Sequence, residues 1–246
     1  MEQKYTVSKV VENVEIANGI YKITVEGTPG AKPGQFFLLR AWGIEPLLSR
    51  PISVYDVDGD KISFLYEVRG EGTKLFKKLK KGDEMQLTGP LGNGFDVERI
   101  RGKVAVIAGG IGIAPMKYVI KSMKDSSVDL YAGFRDDVYL VDEFEEYVED
   151  IKVTTNSGKH GHKGFVTDLF NPMEYNAVLC CGPEVMMKRV VEICKDCATP
   201  VYVSMEKHMA CGVGACLVCT CKTKNGNKRT CKDGPVFSGE DVIFDA

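Results

Sequence analysis

Four cysteines near the C-terminal end, Cys211, Cys216, Cys219 and Cys231, are spaced C-x4-C-x2-C-x11-C. Nothing else in the chain restricts its fold as strongly. A run of this kind has to curl until its thiols converge. The first three follow the spacing by which plant-type proteins hold a [2Fe–2S] cluster, the fourth ligand arriving from further along. Gly212, Gly214 and the small Ala215 permit the curl, because they free backbone angles and let amide N–H groups point at sulfur. Structural zinc is the main alternative. Such sites are usually built from paired C-x2–4-C knuckles, whereas three thiols here share one run and one stands apart. Disulfides fit less well. The nine cysteines are odd in number, and "MEQKYTVSKVVENVEI" lacks the apolar core of a signal peptide, which predicts a cytoplasmic chain with reduced thiols. Cys221 is a fifth candidate thiol that shares a face with Cys219 if the stretch is extended, so a ligand swap is conceivable.

The preceding 200 residues divide by texture. Residues 1–98 hold short alternating runs such as "YTVSKVVENVEIANGIYKITVEG", "AKPGQFFLLRAW" and "KISFLYEV", punctuated by Gly/Pro clusters. This predicts a small antiparallel β-barrel, with one helix near Thr73 to Leu79. Residues 99–205 alternate between strand and helix. "VAVIA" (Val104 to Ala108) is apolar without alternation, as in a strand buried on both faces, and a helix with Pro115 in its first turn follows. "VDLYAGF", "IKVTTNS", "AVLCCGP" and "PVYVSME" read as strands, "LVDEFEEYVED" and "EVMMKRVVEICKDC" as helices. The expectation is a doubly wound parallel α/β domain. Residues 206–246 form a small C-terminal cysteine-rich domain. The whole is therefore a multidomain β and α/β protein.

Composition narrows the function classes. A net charge of −2 with scattered basic residues gives no reason to expect nucleic acid. The dense run "KLFKKLKKGD" reads as a helix with a solvated lysine face. No stretch reaches the ~18 apolar residues of a membrane span. His160, His162 and His208 are too few and too scattered for a catalytic constellation, and no catalytic residue is assigned.

Two glycine turns sit at strand ends, where open α/β sheets bind ligands. "AGGIGIAPM" places Gly109, Gly110 and Gly112 between a strand and a helix, offering unpaired N–H groups to a phosphate. "CCGPEVM" does the same with Cys181, Gly182 and Pro183. Each alone is also compatible with a purely structural turn; together they point to a dinucleotide. In the front half, "LLSRPISVYD" sets Arg50 ahead of Ser53, a guanidinium and a hydroxyl suited to a diphosphate or a flavin edge, although in isolation the segment reads more readily as a strand with one exposed arginine. "LYEVRGEGTKLF" places Gly72 and Thr73 before a helix. After the second α/β strand, Asp136 and Asp137 disfavour a 2′-phosphate and so favour NAD over NADP.

In chain order, "RPIS", "GEGT", "GPLGNGF", "GGIGIAPM" and "CGPE" resemble the ferredoxin–NADP reductase superfamily. The tail "MACGVGACLVCTC…CKDGPVF" is similar to that of the electron-transfer subunits of class 1B dihydroorotate dehydrogenases, and the resemblance spans essentially the whole chain. It implies an FAD-binding barrel, a nicotinamide-binding α/β domain and a [2Fe–2S] domain. Arg50, Pro51, Ile52 and Ser53 would contact FAD, Leu65, Tyr66 and Glu67 would present strand backbone to it, and Gly72 and Thr73 would hold its diphosphate. Gly109, Gly110 and Gly112 would face the phosphates of NAD, with Cys181, Gly182 and Pro183 near its reactive end. Cys211, Cys216, Cys219 and Cys231 would bind the cluster. The implied partner is an FMN-containing catalytic subunit that oxidises dihydroorotate in pyrimidine (UMP) biosynthesis, in a heterotetramer of two copies of each chain. The combination is chemically coherent. A nicotinamide moves two electrons at once, an iron–sulfur centre moves one, and a flavin does both. A reductase of the same superfamily serving a hydrogenase, ferredoxin or sulfide chemistry is the competing enzyme reading. A zinc-stabilised nucleotide-binding regulator is the reading from another class.

Overall fold

A computed structural model describes residues 4–27 and 30–244. The front half is a closed barrel in the order β1-β2-β5-β4-β3-β6. Its strands are β1 (Lys4–Ala17), β2 (Ile20–Glu26), β3 (Phe36–Arg40), β4 (Arg50–Asp58), β5 (Lys61–Glu67) and β6 (Glu84–Leu91). Alternation fills it: Ile23, Val25, Leu39, Val54, Ile62, Phe64, Met85 and Leu87 are all buried in one cluster. Helix α1 (Glu71–Lys77) crosses between β5 and β6 and buries Phe76 in that core. It starts two residues before the expected Thr73. The Thr73 hydroxyl accepts from the Gly70 and Arg69 amides, 3.2 and 3.0 Å away, and pins the turn that opens the helix.

The second half is a seven-stranded sheet. In chain order it comprises β7 (Gly102–Gly109), α2 (Ala114–Ser122), β8 (Ser126–Phe134), β9 (Asp150–Thr155), β10 (His162–Lys163), β11 (Ala177–Cys181), α3 (Glu184–Asp196) and β12 (Val201–Ser204). The sheet order is β10-β9-β8-β7-β11-β12, followed by one strand from the tail. All these neighbours are parallel. Successive residues of β7 go to opposite faces. Val104, Val106 and Ala108 pack with Met116, Val119 and Ile120 of α2, while Ala105 and Ile107 pack with Met187, Val190 and Cys194 of α3. Burial on both faces is why this strand lacks polar alternation.

The expected helix at "LVDEFEEYVED" is instead a 3-10 segment, Val141–Tyr147. Leu140 enters it at φ +60° and Val148 leaves it extended, directly ahead of β9. Between these ends Phe144 is fully buried, and the buried Lys117 ammonium donates to the Glu143 carbonyl. Tertiary anchoring of a short acidic segment has displaced its helical pattern.

The cysteine-rich tail is not a loose appendage. A hairpin of β13 (Thr220–Thr223) and β14 (Gly226–Arg229) leads to β15 (Val236–Ser238), which joins the main sheet antiparallel to β12. Asn93, just after β6, bridges to Pro235, and its side chain donates to the Lys232 carbonyl at 2.9 Å. The tail is therefore fastened to both halves. No helix among the described residues is long and apolar enough to cross a membrane.

Candidate functional site

The barrel is split where β4 and β5 part. Their ladder runs from Asp58/Lys61 to Val54/Phe64 and ends there. Beyond it, Arg50–Ser53 on one strand and Leu65–Glu67 on the other flank a cleft of about 1010 Å3. That is at the upper end of ordinary cofactor sites, as a dinucleotide-sized flavin requires. The Tyr66 ring points away from the cleft into the barrel, where its hydroxyl donates to Asn13 at 3.0 Å and it stacks on Tyr21. Thr73 lines the cleft, but Gly72 does not: a Cβ there would fall 2.5 Å from Arg50 Nε. The other wall comes from Ile111, Ala114 and Pro115 at the start of α2 and from Ser204–Met209 after β12. Sequence reading named none of these residues as a contact of the cleft. Their signal was position, since both segments follow the carboxyl ends of parallel strands. Although Glu206 opens into the cleft, the protein packed around it disfavours its charge and raises its carboxyl, with Arg69 opposing and Glu67 reinforcing.

The two glycine turns lie side by side, because Cys181 of β11 is in register with Ala108 of β7. Most of their glycines are consumed by this proximity. A Cβ on Gly112 would sit 2.4 Å from the Cys181 carbonyl oxygen, and one on Gly182 would sit 2.9 Å from the Gly109 backbone. Gly109 in turn abuts Pro183 and Met186. Gly110 alone of the four is open, at φ +53° with nothing within 4 Å. The Cys181 thiol is buried and raised by that burial, with a hydrogen bond to Ser204 acting against it. Asp136 lies just past β8 and accepts from the Ser157 amide at 3.1 Å.

The four tail cysteines form two pairs. The Cys216 thiol acts on Cys211 and lowers it, while the Cys219 thiol acts on Cys231 and raises it. Backbone amides converge on the sulfurs: Gly214 N on Cys231 at 3.1 Å, Ala215 and Cys216 N on Cys211 at 3.3 and 3.4 Å, and Cys231 N on Cys219 at 3.4 Å. Gly212, Gly214 and Leu217 take φ of +68°, +81° and +62°, which turns these amides inward. Burial opposes ionisation of Cys211, yet the amides of Cys216, Val213 and Ala215 outweigh it and bring the thiol down to about 6. At Cys231 burial and the neighbouring Cys219 win, pushing it up to about 12. Among the described residues no three His, Cys, Asp or Glu side chains gather as a single ion requires. Two thiol pairs instead match two irons with two protein ligands each. Cys221 is elsewhere. It is buried with Val242 and the α3 side of the sheet, whereas Cys219 and Cys231 pack with Phe36, Leu38, Leu91 and Met209.

That last packing joins the parts. Phe36 and Met209 line the cleft and also touch the cysteine cluster. A split barrel, a doubly wound sheet and a thiolate nest sharing one wall define an oxidoreductase of the ferredoxin-reductase type. Comparison with known proteins agrees. Residues 106–192 match the oxidoreductase NAD-binding domain, and residues 206–243 match the iron–sulfur cluster binding domain of dihydroorotate dehydrogenase B. The electron transfer subunit of dihydroorotate dehydrogenase B (NAD(+)) from Clostridium acetobutylicum is 59% identical, over 99% of both chains. Its counterpart from Clostridium perfringens is 55% identical, covering 99% of this chain and 100% of that one. The solved structure of an NADH-dependent reduced ferredoxin–NADP oxidoreductase superposes with a TM-score of 0.86 at 29% identity, covering 97% of this chain and 90% of the other. The chain belongs to the family of dihydroorotate dehydrogenase B (NAD(+)) electron transfer subunits.

Proposed function

We propose that this chain is the electron-transfer subunit of an NAD-dependent dihydroorotate dehydrogenase, acting in pyrimidine biosynthesis. It takes electrons from the FMN of a catalytic partner and delivers them, by way of a [2Fe–2S] cluster and FAD, to NAD+. When bound, the flavin supplies the exchange between one-electron and two-electron chemistry. The residues of the chain bind, orient and insulate. Arg50–Ser53 and Leu65–Glu67 hold FAD in the split of the barrel, with Gly72 and Thr73 behind its diphosphate. Gly109, Gly110, Gly112, Cys181, Gly182 and Pro183 shape the turns that receive NAD. Cys211, Cys216, Cys219 and Cys231 hold the cluster. These sets correspond to units 1–98, 99–205 and 206–246. The working assembly contains two copies of each subunit and resides in the cytoplasm.

The observation that carries this reading is the wall shared by cleft and cysteine nest through Phe36 and Met209. It gives a flavin and a cluster adjacent seats with no solvent layer required between them. The test is co-expression with the catalytic subunit, anaerobic purification and a visible spectrum, followed by an assay of dihydroorotate-dependent NAD+ reduction. Flavin and iron–sulfur absorbance with turnover is the expected result. A colourless protein with about one zinc per chain would refute it.

A further inference from the structure

Trp42 is the single tryptophan of the chain and lies in the loop between β3 and β4. Its half-buried indole is held from several sides. The ring N–H donates to the Pro46 carbonyl at 2.6 Å, and the ring centre lies 5.4 Å from that of Phe76 in α1. The guanidinium carbons of Arg40 and Arg50 are 5.5 and 5.3 Å from the indole centroid. The two arginines are not equivalent. Arg40 donates to the carbonyls of Trp42, Gly43, Ile44 and Leu47, so its donors are spent on tying the loop. Among the described residues Arg50 donates only to the Leu48 carbonyl, and it lines the cleft.

Gly72 completes the seat. A Cβ at that position would collide with Arg50 Nε at 2.5 Å, Arg50 Cζ at 2.7 Å and Trp42 Cη2 at 2.7 Å. The guanidinium is thus wedged between an indole and a bare Cα, with most of its donor fork unspent. Burial and the charge of Arg40 both disfavour the Arg50 cation.

We propose that Trp42 is the positioning residue for the flavin phosphates: by stacking on Arg50 and seating it against Gly72, it presets the fork that meets the diphosphate of FAD. This rests on the reading that the cleft holds FAD. Stacking a guanidinium on an aromatic face leaves its edge free to donate, whereas a carboxylate partner would consume the edge. The energy of ordering a long side chain is met before the ligand arrives.

The test uses the full chain stripped of flavin and titrated with FAD and with riboflavin, which lacks phosphate. Trp42→Leu should weaken FAD about tenfold, Trp42→Phe by no more than about threefold, and neither should change riboflavin affinity. In an Arg50→Gln background Trp42→Leu should have no further effect. Equal weakening of riboflavin, or an undiminished effect of Trp42→Leu without Arg50, would overturn the proposal. A second measurement needs no change at Trp42. ADP, at concentrations that displace FAD, should alter the fluorescence of this lone indole, and Arg50→Gln should abolish the response. A response that persists in Arg50→Gln, or none while FAD is displaced, rejects the positioning role. An unaltered chain that binds no FAD at all rejects the assignment of the cleft instead.

Discussion

The cysteine loop and the paired glycine turns use the same residue type for opposite ends. In the loop, Gly212 and Gly214 adopt positive φ so that amides can point at sulfur. In the turns, Gly109, Gly112 and Gly182 have lost their side chains so that two strand ends can touch. The loop glycines serve their backbone angles as well as close packing on Leu38 and Lys232, whereas Gly109 and Gly112 serve close packing alone. A glycine-rich motif therefore says that something approaches closely, and only the fold says what.

Substitutions should separate the two regions. The largest effect is expected at Cys216→Ser, which removes the exposed thiol that neighbours Cys211. Iron content and the EPR signal of the reduced protein should vanish, along with electron exchange with the partner, while NADH still reduces bound FAD. Equal loss of both activities would erase the division between loop and turns. Gly112→Ala should come next, because its Cβ would strike the Cys181 carbonyl carbon at 2.6 Å. A cost of about 2–3 kcal/mol is expected from overpacking, read as a fall in melting temperature with the cluster spectrum unchanged.

Gly110→Ala meets no neighbour and incurs only its left-handed backbone, about 1–2 kcal/mol. Its diagnostic effect is on KM for NADH, since this glycine is the one left open. Cys221→Ala should retain full iron, because that thiol sits in the core beside α3 rather than with Cys219. Iron loss in this variant would restore it as a ligand.

The smallest effect concerns acid stability where the 3-10 segment meets the barrel. Burial disfavours the charge of Glu143, but hydrogen bonds from Tyr55 at 2.7 Å and Lys22 at 3.2 Å outweigh it and lower its carboxyl. A depressed folded value means stability present above the unfolded pKa and lost as pH falls through the folded one. Glu143→Gln should therefore destabilise at neutral pH, and the gap to the unaltered chain should close in melts below about pH 4.

Much of the site was legible because chemistry dictated it locally. Spacing singled out four cysteines that the fold gathers with amides on their sulfurs, and the alternation and breaks of the chain announced a barrel followed by a wound sheet. Arg50–Ser53 drew notice by residue type and Leu65–Glu67 only through the family resemblance; both line the cleft, yet nothing in their patterning revealed that their strands part between them. The helix expected after Leu140 failed for a related reason: its acidic periodicity is helical, but Lys117, Phe144 and Tyr55 bind it in another shape.

By itself, the order of residues determined the architecture of each part and marked four cysteines as candidate ligands, since both follow from short-range spacing and from period-two or buried runs. The tertiary structure decided three matters that depend on residues far apart in the chain. It separated Cys221 from its neighbour Cys219, assigned most motif glycines to packing, and brought Trp42, Arg50 and Gly72 into one seat. Close approach between distant segments is a property of packed surfaces, and no local pattern encodes which surfaces will meet.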